Sequence, residues 1–274
     1  MICNAEIRTA LRADGSTALA VLRSEPPITL MPAGELVYLV GSAAGPLTGD
    51  RISLTINVVA GTTLTVRTVA ASIAWPGTGT DPSEFQVTAR VGEGATLHWL
   101  PEALVPVFGG SHRMLAHVDV APGGLALWRE ELVLGRHREG PGALTTRLTA
   151  RVDGRVAVRQ ELAVGPGAPG AGGPAVTSGA KTTGTLSVLG GDRAAIALRP
   201  SAELLAATGA AAATLELEHG GWQTAATATG AVALRRALDA ALLPLLEPVV
   251  APELPKPVAR PNPDERAEYV LAAR

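Results

Sequence analysis

Residues 41–72 read GSAAGPLTGDRISLTINVVAGTTLTVRTVAAS, and their alternation decides the fold class. Ile52, Leu54, Ile56 and Val58 fall on one face of an extended segment, with Ser53, Thr55 and Asn57 on the other. That is the period of two expected of a half-buried strand. Leu64 and Val66 resume the pattern beyond Ala60-Gly61, and Val69 is a candidate to continue it. The glycine-rich loop ahead of the first strand ends in Gly49-Asp50-Arg51, which sets an acid beside a base on a loop.

The same grammar returns downstream. Val58-Val59-Ala60-Gly61-Thr62-Thr63-Leu64-Thr65-Val66 resembles Val91-Gly92-Glu93-Gly94-Ala95-Thr96-Leu97-His98-Trp99. Both resemble Val120-Ala121-Pro122-Gly123-Gly124-Leu125-Ala126-Leu127, with one residue missing. Strand, turn of small residues and strand recur roughly every 30 residues, a period at which repeat architectures stack their units. Two readings stay open: a β-helix-like stack of coils, or layered sheets of ordinary hairpins in a biased alphabet.

Outward from this centre the strand signals continue. Asn4–Arg12 and Thr17–Arg23 flank Asp14-Gly15, a hairpin turn signal. Pro26-Pro27 interrupts the ladder, because proline has no N–H to donate. Residues 35–40 read as a short buried strand, and residues 143–164 as a hairpin turning at Asp153-Gly154. Residues 165–174 (GPGAPGAGGP) offer almost no side chain to pack and read as a flexible loop within one domain spanning 1–274. Strand patterns resume at 182–189 and 194–198. Helices come late: a short one near 200–205, then 231–243 with Leu234, Leu238 and Leu242 on one face, ended by Pro244. Residues 231–274 form a helical and proline-rich end, extended over 247–263 and helical again over 264–273. The class is all-β with a few short C-terminal helices.

Composition bounds the function. A chain of 274 residues buries enough surface to need no disulfide or metal for stability. The single cysteine, Cys3, has no internal partner and lies near a terminus expected to be mobile. The formal charge is −2, and Lys181 and Lys256 are the only lysines, with no basic run or aromatic-interleaved stripe. Nucleic acid is not an expected partner. Neither a signal peptide nor an apolar run of membrane length is present, so the expected location is cytoplasmic, without membrane association.

Catalytic constellations are scarce. His98, His112, His117, His137 and His219 show no metal-binding spacing and read as scattered surface or loop residues. His112 and His117, five apart, fall on opposite faces of a strand. The loop at 41–49 lacks the lysine and following helix of a phosphate cradle. Polar residues near strand ends remain: Asp50, Arg51, Thr68, Ser72, Glu130, Glu131, Arg136 with His137 and Arg138, and Gln160 with Glu161. Each alone is explained by a solvated face or a local ion pair.

Taken together, Gly49-Asp50-Arg51, Thr65–Ser72 (TVRTVAAS), Leu100–Pro106 (LPEALVP), Trp128-Arg129-Glu130, Leu134-Gly135-Arg136 and Arg159-Gln160-Glu161 resemble the urease accessory protein of the D type, called H in some bacteria. Gly45-Pro46-Leu47-Thr48 departs from that family's more glycine-rich loop. The resemblance implies a non-enzymatic scaffold for nickel insertion into urease. Its implied partners are the F-type accessory protein, a G-type GTPase through that complex, and apo-urease. Asp50, Arg51, Thr68, Ser72, Glu130, Glu131, Arg136 and Glu161 are then candidates for a tunnel or an interface. No cofactor would be tightly bound; nickel would be in transit, touching Asp50, Glu130 or Glu161 weakly. Imidazole and thiolate hold nickel(II) tightly, whereas carboxylates, hydroxyls and water would pass it onward. The alternative is a carbohydrate-active β-helix enzyme using two of Asp50, Glu130 and Glu161 as paired carboxylates.

Overall fold

The computed structural model describes residues 1–246, apart from the side chains of residues 193 and 194. The extended stretch and terminal helix expected over 247–273 lie outside the described residues. The elements run in chain order: β1 (Ile2–Leu11), β2 (Thr17–Arg23), β3 (Ile28–Ala33), β4 (Leu36–Gly41), β5 (Arg51–Val58), β6 (Thr63–Thr68), β7 (Ser72–Ala74), β8 (Ser83–Val91), β9 (Thr96–Trp99), β10 (Leu104–Pro106), β11 (Ser111–Val120), β12 (Leu125–Val133), β13 (Ala143–Val152), β14 (Arg155–Val164), β15 (Thr182–Gly190), α1 (Arg193–Ala197), α2 (Ala202–Ala206), β16 (Ala211–Glu216), β17 (Gly221–Ala228) and α3 (Ala231–Leu242), closed by a 3-10 turn at Leu243–Leu245.

Two sheets face each other. Sheet A runs β14-β13-β11-β8-β5-β1-β2, and sheet B runs β16-β17-β15-β12-β9-β6-β4-β3, with β7 and β10 attached beside β12. The three repeat copies are the stacked units of a solenoid. β5, β8 and β11 pair in parallel in sheet A, while β6, β9 and β12 pair in parallel in sheet B. Each small-residue turn is therefore a corner between sheets, not a hairpin end. Gly61, Gly94 and Gly123 have positive φ at the third position of these turns. One positive φ at that position is the pattern of an unprimed type II turn, whereas hairpins favour turns with positive φ at the second position. The coils stack in phase, with Val58, Val91, Val120 and Val152 in register. The corners approach so closely that a Cβ on Gly92 would lie 2.7 Å from Ala60 N.

The inner faces make the main core. Leu54, Val87, Ala116 and Leu148 form one row across sheet A, and Leu64, Leu97 and Ala126 form one across sheet B in the same core. Val66, Trp99 and Trp128 form the next row of sheet B, and the two indoles stack with centroids 5.0 Å apart. A second core lies on the outer face of sheet B, where Leu234, Ala237, Leu238, Ala241 and Leu242 of α3 cover Leu127, Leu186, Val188 and Trp222. Gly184 of β15 makes room for this helix, since a Cβ there would lie 3.1 Å from Leu238 Cδ1 and 2.5 Å from Glu130 O.

Several expectations change. Residues 194–197 belong to helix α1 and Leu198 is its C-cap, so 194–198 is not a strand: the Asp192 side chain accepts from Ala195 N (2.8 Å), an N-cap that alanine-rich sequence readily propagates. Val69 is exposed and ends outside β6. Cys3 is buried inside β1, its thiol donating to Glu25 O (2.9 Å), so the N-terminal segment is an integral strand. β16 and β17, whose alanine and threonine run carries little alternation, were not expected. Residues 165–174 hold neither strand nor helix, and consecutive turn bonds such as Ala168 N to Gly165 O (3.2 Å) link them.

Candidate functional site: the cavity between the sheets

Away from the corners, the core between the sheets opens into a cavity of about 410 Å³. The sequence makes it by changing what each inward row carries. Ile52, Phe85, Met114 and Thr146 lie in register at the start of the sheet A strands, and beyond them come Ser83 and His112. Across the gap, the row after the stacked indoles carries Thr68 and Glu130. Sheet B also breaks here, because residues 69–71 and 100–103 interrupt the runs from β6 to β7 and from β9 to β10. The wall thus passes from aliphatic to aromatic to polar.

Four of the eight expected residues meet at this cavity: Thr68, Ser72, Glu130 and Glu131. Thr68 Oγ1 accepts from Glu102 N (2.8 Å), fixing the break in the sheet. Glu130 Oε1 accepts from Trp128 Nε1 (3.3 Å). Burial raises the Glu130 carboxyl above its usual range, only partly opposed by that indole. Trp99 also lines the cavity, and its Nε1 has no protein acceptor.

Glu131 lines the cavity where it reaches beneath α3. Its carboxylate lies 2.7 Å from Arg235 Nε and 3.1 Å from Arg129 Nε. The Arg129 contact is charge proximity without an aligned hydrogen bond, since Arg129 Nε has no partner that meets hydrogen-bond geometry. Burial raises Glu131 against the pull of both guanidiniums. Arg129 also reaches Pro101 O (3.3 Å) and Asp239 (3.2 Å), and Arg235 donates to Glu102 Oε2 (2.8 Å). The Arg235 bond holds Glu102 below its ordinary value. Five charged groups therefore pin α3 over the broken edge of sheet B.

The other four lie elsewhere. Asp50 is buried, not on an open loop, and it accepts from the Met1 ammonium (2.7 Å) and Leu47 N (2.8 Å). Arg51 turns from the Asp50 carboxylate to Pro82 O (2.6 Å), so the adjacent acid and base form no side-chain pair. Arg136 is exposed beyond β12, pairs with Glu139 (3.0 Å) and stacks 5.0 Å over Trp75, a cavity-wall residue. Glu161 sits on the outer face of sheet A with Arg147 (2.8 Å). Asp50, Glu130 and Glu161 thus occupy three separate environments, and no two make the opposed pair that a glycosidase needs.

The histidines are not all surface residues. His112 is 2% exposed, and its Nδ1 lies 2.9 Å from Ser83 Oγ; burial lowers it to about 4. His98 of β9, 3.1 Å from Thr65 Oγ1, is also lowered to about 4, by burial and then by Arg67. Sequence reasoning missed His112, Glu102, Trp99 and Arg235. His112 had a legible signal, since an alternation in which His117 points out makes His112 point in. Among the described residues, no three His, Cys, Asp or Glu side chains are arranged to hold a metal ion, and no helix is long and apolar enough to cross a membrane.

Fold and site together define a β-solenoid with an internal amphipathic cavity, its coils capped on one flank by a docked helix. Residues 4–259 match the family described as UreD urease accessory protein. Relatives include urease accessory protein UreD 3 of Streptomyces griseus, 46% identical over 68% of this chain and 77% of the relative. Those of Streptomyces avermitilis and Streptomyces coelicolor are 40% and 39% identical, over 87% and 88% of this chain and 96% of each relative. The chain belongs to the UreD urease accessory protein family.

Proposed function

We propose that this protein is a non-catalytic scaffold in urease maturation that passes nickel toward apo-urease, in a complex with the F-type accessory protein and, through it, the G-type GTPase. The observation that carries the reading is the cavity at the break in sheet B, with Thr68, Ser72, Glu102, Glu130 and Glu131 on its walls. Its polar groups are hydroxyls, carboxylates and one imidazole, spread among apolar side chains. Nickel is the cargo here, and such oxygen donors favour release over storage. Glu102 and Glu131 are already engaged by Arg235, so an ion must compete with a guanidinium and is not trapped. The Trp99 N–H is a donor left for the water shell of a hydrated ion.

The test blocks the cavity without touching the surface. Ser72→Trp, which fills the wall at the start of β7, should abolish activation of co-expressed apo-urease and lower its nickel content while still co-purifying with the F-type and G-type proteins. Full activation by a folded Ser72→Trp protein would overturn the conduit. Failure of the unmodified chain to co-purify with those partners would overturn the complex.

A further inference from the structure

A second concavity lies on the outer face of sheet A. It is a groove of about 680 Å³ lined by β11, β13 and β14. Thr149 stands at its centre. Its neighbours along β13 on that face are Arg147 and Arg151, while His117 and Arg159 lie in register with it on the adjoining strands. Strands lie about 4.8 Å apart and alternate residues about 6.6 Å apart, so these four residues surround Thr149 on the outer face. Arg147, Arg151, Arg159 and His117 are all exposed.

The local charges do not cancel. Arg147 is taken by Glu161 (2.8 Å). Asp119 lies in register between Arg90 and Arg151 but forms an ion pair with neither, and no described carboxylate pairs with Arg151 or Arg159. Three groove arginines less two groove carboxylates, Asp119 and Glu161, leave one positive charge. The in-register neighbours on this face carry opposite signs, Asp119 beside Arg151 and Glu161 beside Arg147, which leaves Arg159 opposite the neutral Thr149. A guanidinium fork is built to grip a carboxylate through two parallel bonds.

We propose that the groove binds an acidic peptide segment of a partner protein, with one of its carboxylates seated over Thr149 between Arg151 and Arg159. One residual charge matches a carboxylate rather than a phosphate dianion. The open face suits an extended segment better than an enclosed small molecule.

The experiment measures fluorescence anisotropy of a labelled eight-residue peptide of alternating Gly and Glu with the purified full chain at low salt. Binding should weaken steeply with added salt, and by about tenfold or more in Arg159→Gln and Arg151→Gln, the loss expected for one charge-assisted pair. Arg136→Gln, an exposed arginine elsewhere, should bind as the parent does, and equal melting temperatures confirm that each variant folds. No binding by the parent, unchanged binding by Arg159→Gln, or tighter binding of a single-stranded RNA octamer would each overturn the proposal. It does not rest on nickel passage, and those outcomes leave the cavity reading as it stands.

Discussion

At the scale of single residues, the buried charges carry the largest expected effects. Arg129 and Arg235 together cover the buried Glu131 carboxylate, so Arg129→Ala leaves it with Arg235 alone and unpairs Asp239. We expect a loss of about 1–3 kcal/mol, read by urea denaturation. The double variant Arg129→Ala/Glu131→Gln should be less unstable than the two single losses added together. His98 and His112 set the response to acid. Their folded values, about 4, lie below the ordinary histidine value near 6.5. A depressed value means the unfolded chain binds the extra proton, so their stabilisation is present above pH ~6.5 and lost as pH falls toward ~4. Glu130, raised by burial, works in the opposite sense: its contribution is present below the ordinary glutamate value and fades as pH rises through the folded one. Unfolding free energy measured from pH 7 to 4 should fall, and His112→Gln should flatten that fall. Asp50 shows why residue roles were only half legible. The sequence placed it correctly at a loop-to-strand junction, but its burial depends on Met1 and Leu47 closing over it, contacts that no local pattern encodes.

At the scale of elements, strands with strong alternation were readable, and so was helix α3 from its leucine spacing. The corners were readable in principle. Pro122 at the second turn position and Gly123 at the third specify an unprimed turn, which argues against a hairpin, and Gly61 and Gly94 hold the same place. Strand alternation alone leaves the choice between stacked coils and hairpins open, because both bury the same residues. α1 was misread since five residues around a capped turn give too short a period to distinguish from a strand. The docking of α3 is the element to test. Leu238→Ala should cost about 2–5 kcal/mol, because it empties a fully buried site between α3 and sheet B. Gly184→Val should cost at least about 1–3 kcal/mol, because its Cβ would crowd Glu130 O at 2.5 Å as well as Leu238 Cδ1. Thermal melts followed by near-ultraviolet circular dichroism, sensitive to Trp222 under this helix, would check both.

At the scale of the whole molecule, family membership was legible from motif order and the all-β class from strand alternation, while the cavity was not. It arises where rows from separate coils change character together, and the residues that meet there are distant in sequence, from Pro27 to Thr146. The same in-phase stacking has a quantitative consequence. The row Ile52–Phe85–Met114–Thr146 crosses three inter-strand steps, so this wall is about 14 Å long. A relative carrying one coil more or fewer would lengthen or shorten its interior by a fixed increment of about 4.8 Å. The dimension of the chamber is therefore counted in whole repeats, and evolution can adjust it only by a discrete ruler.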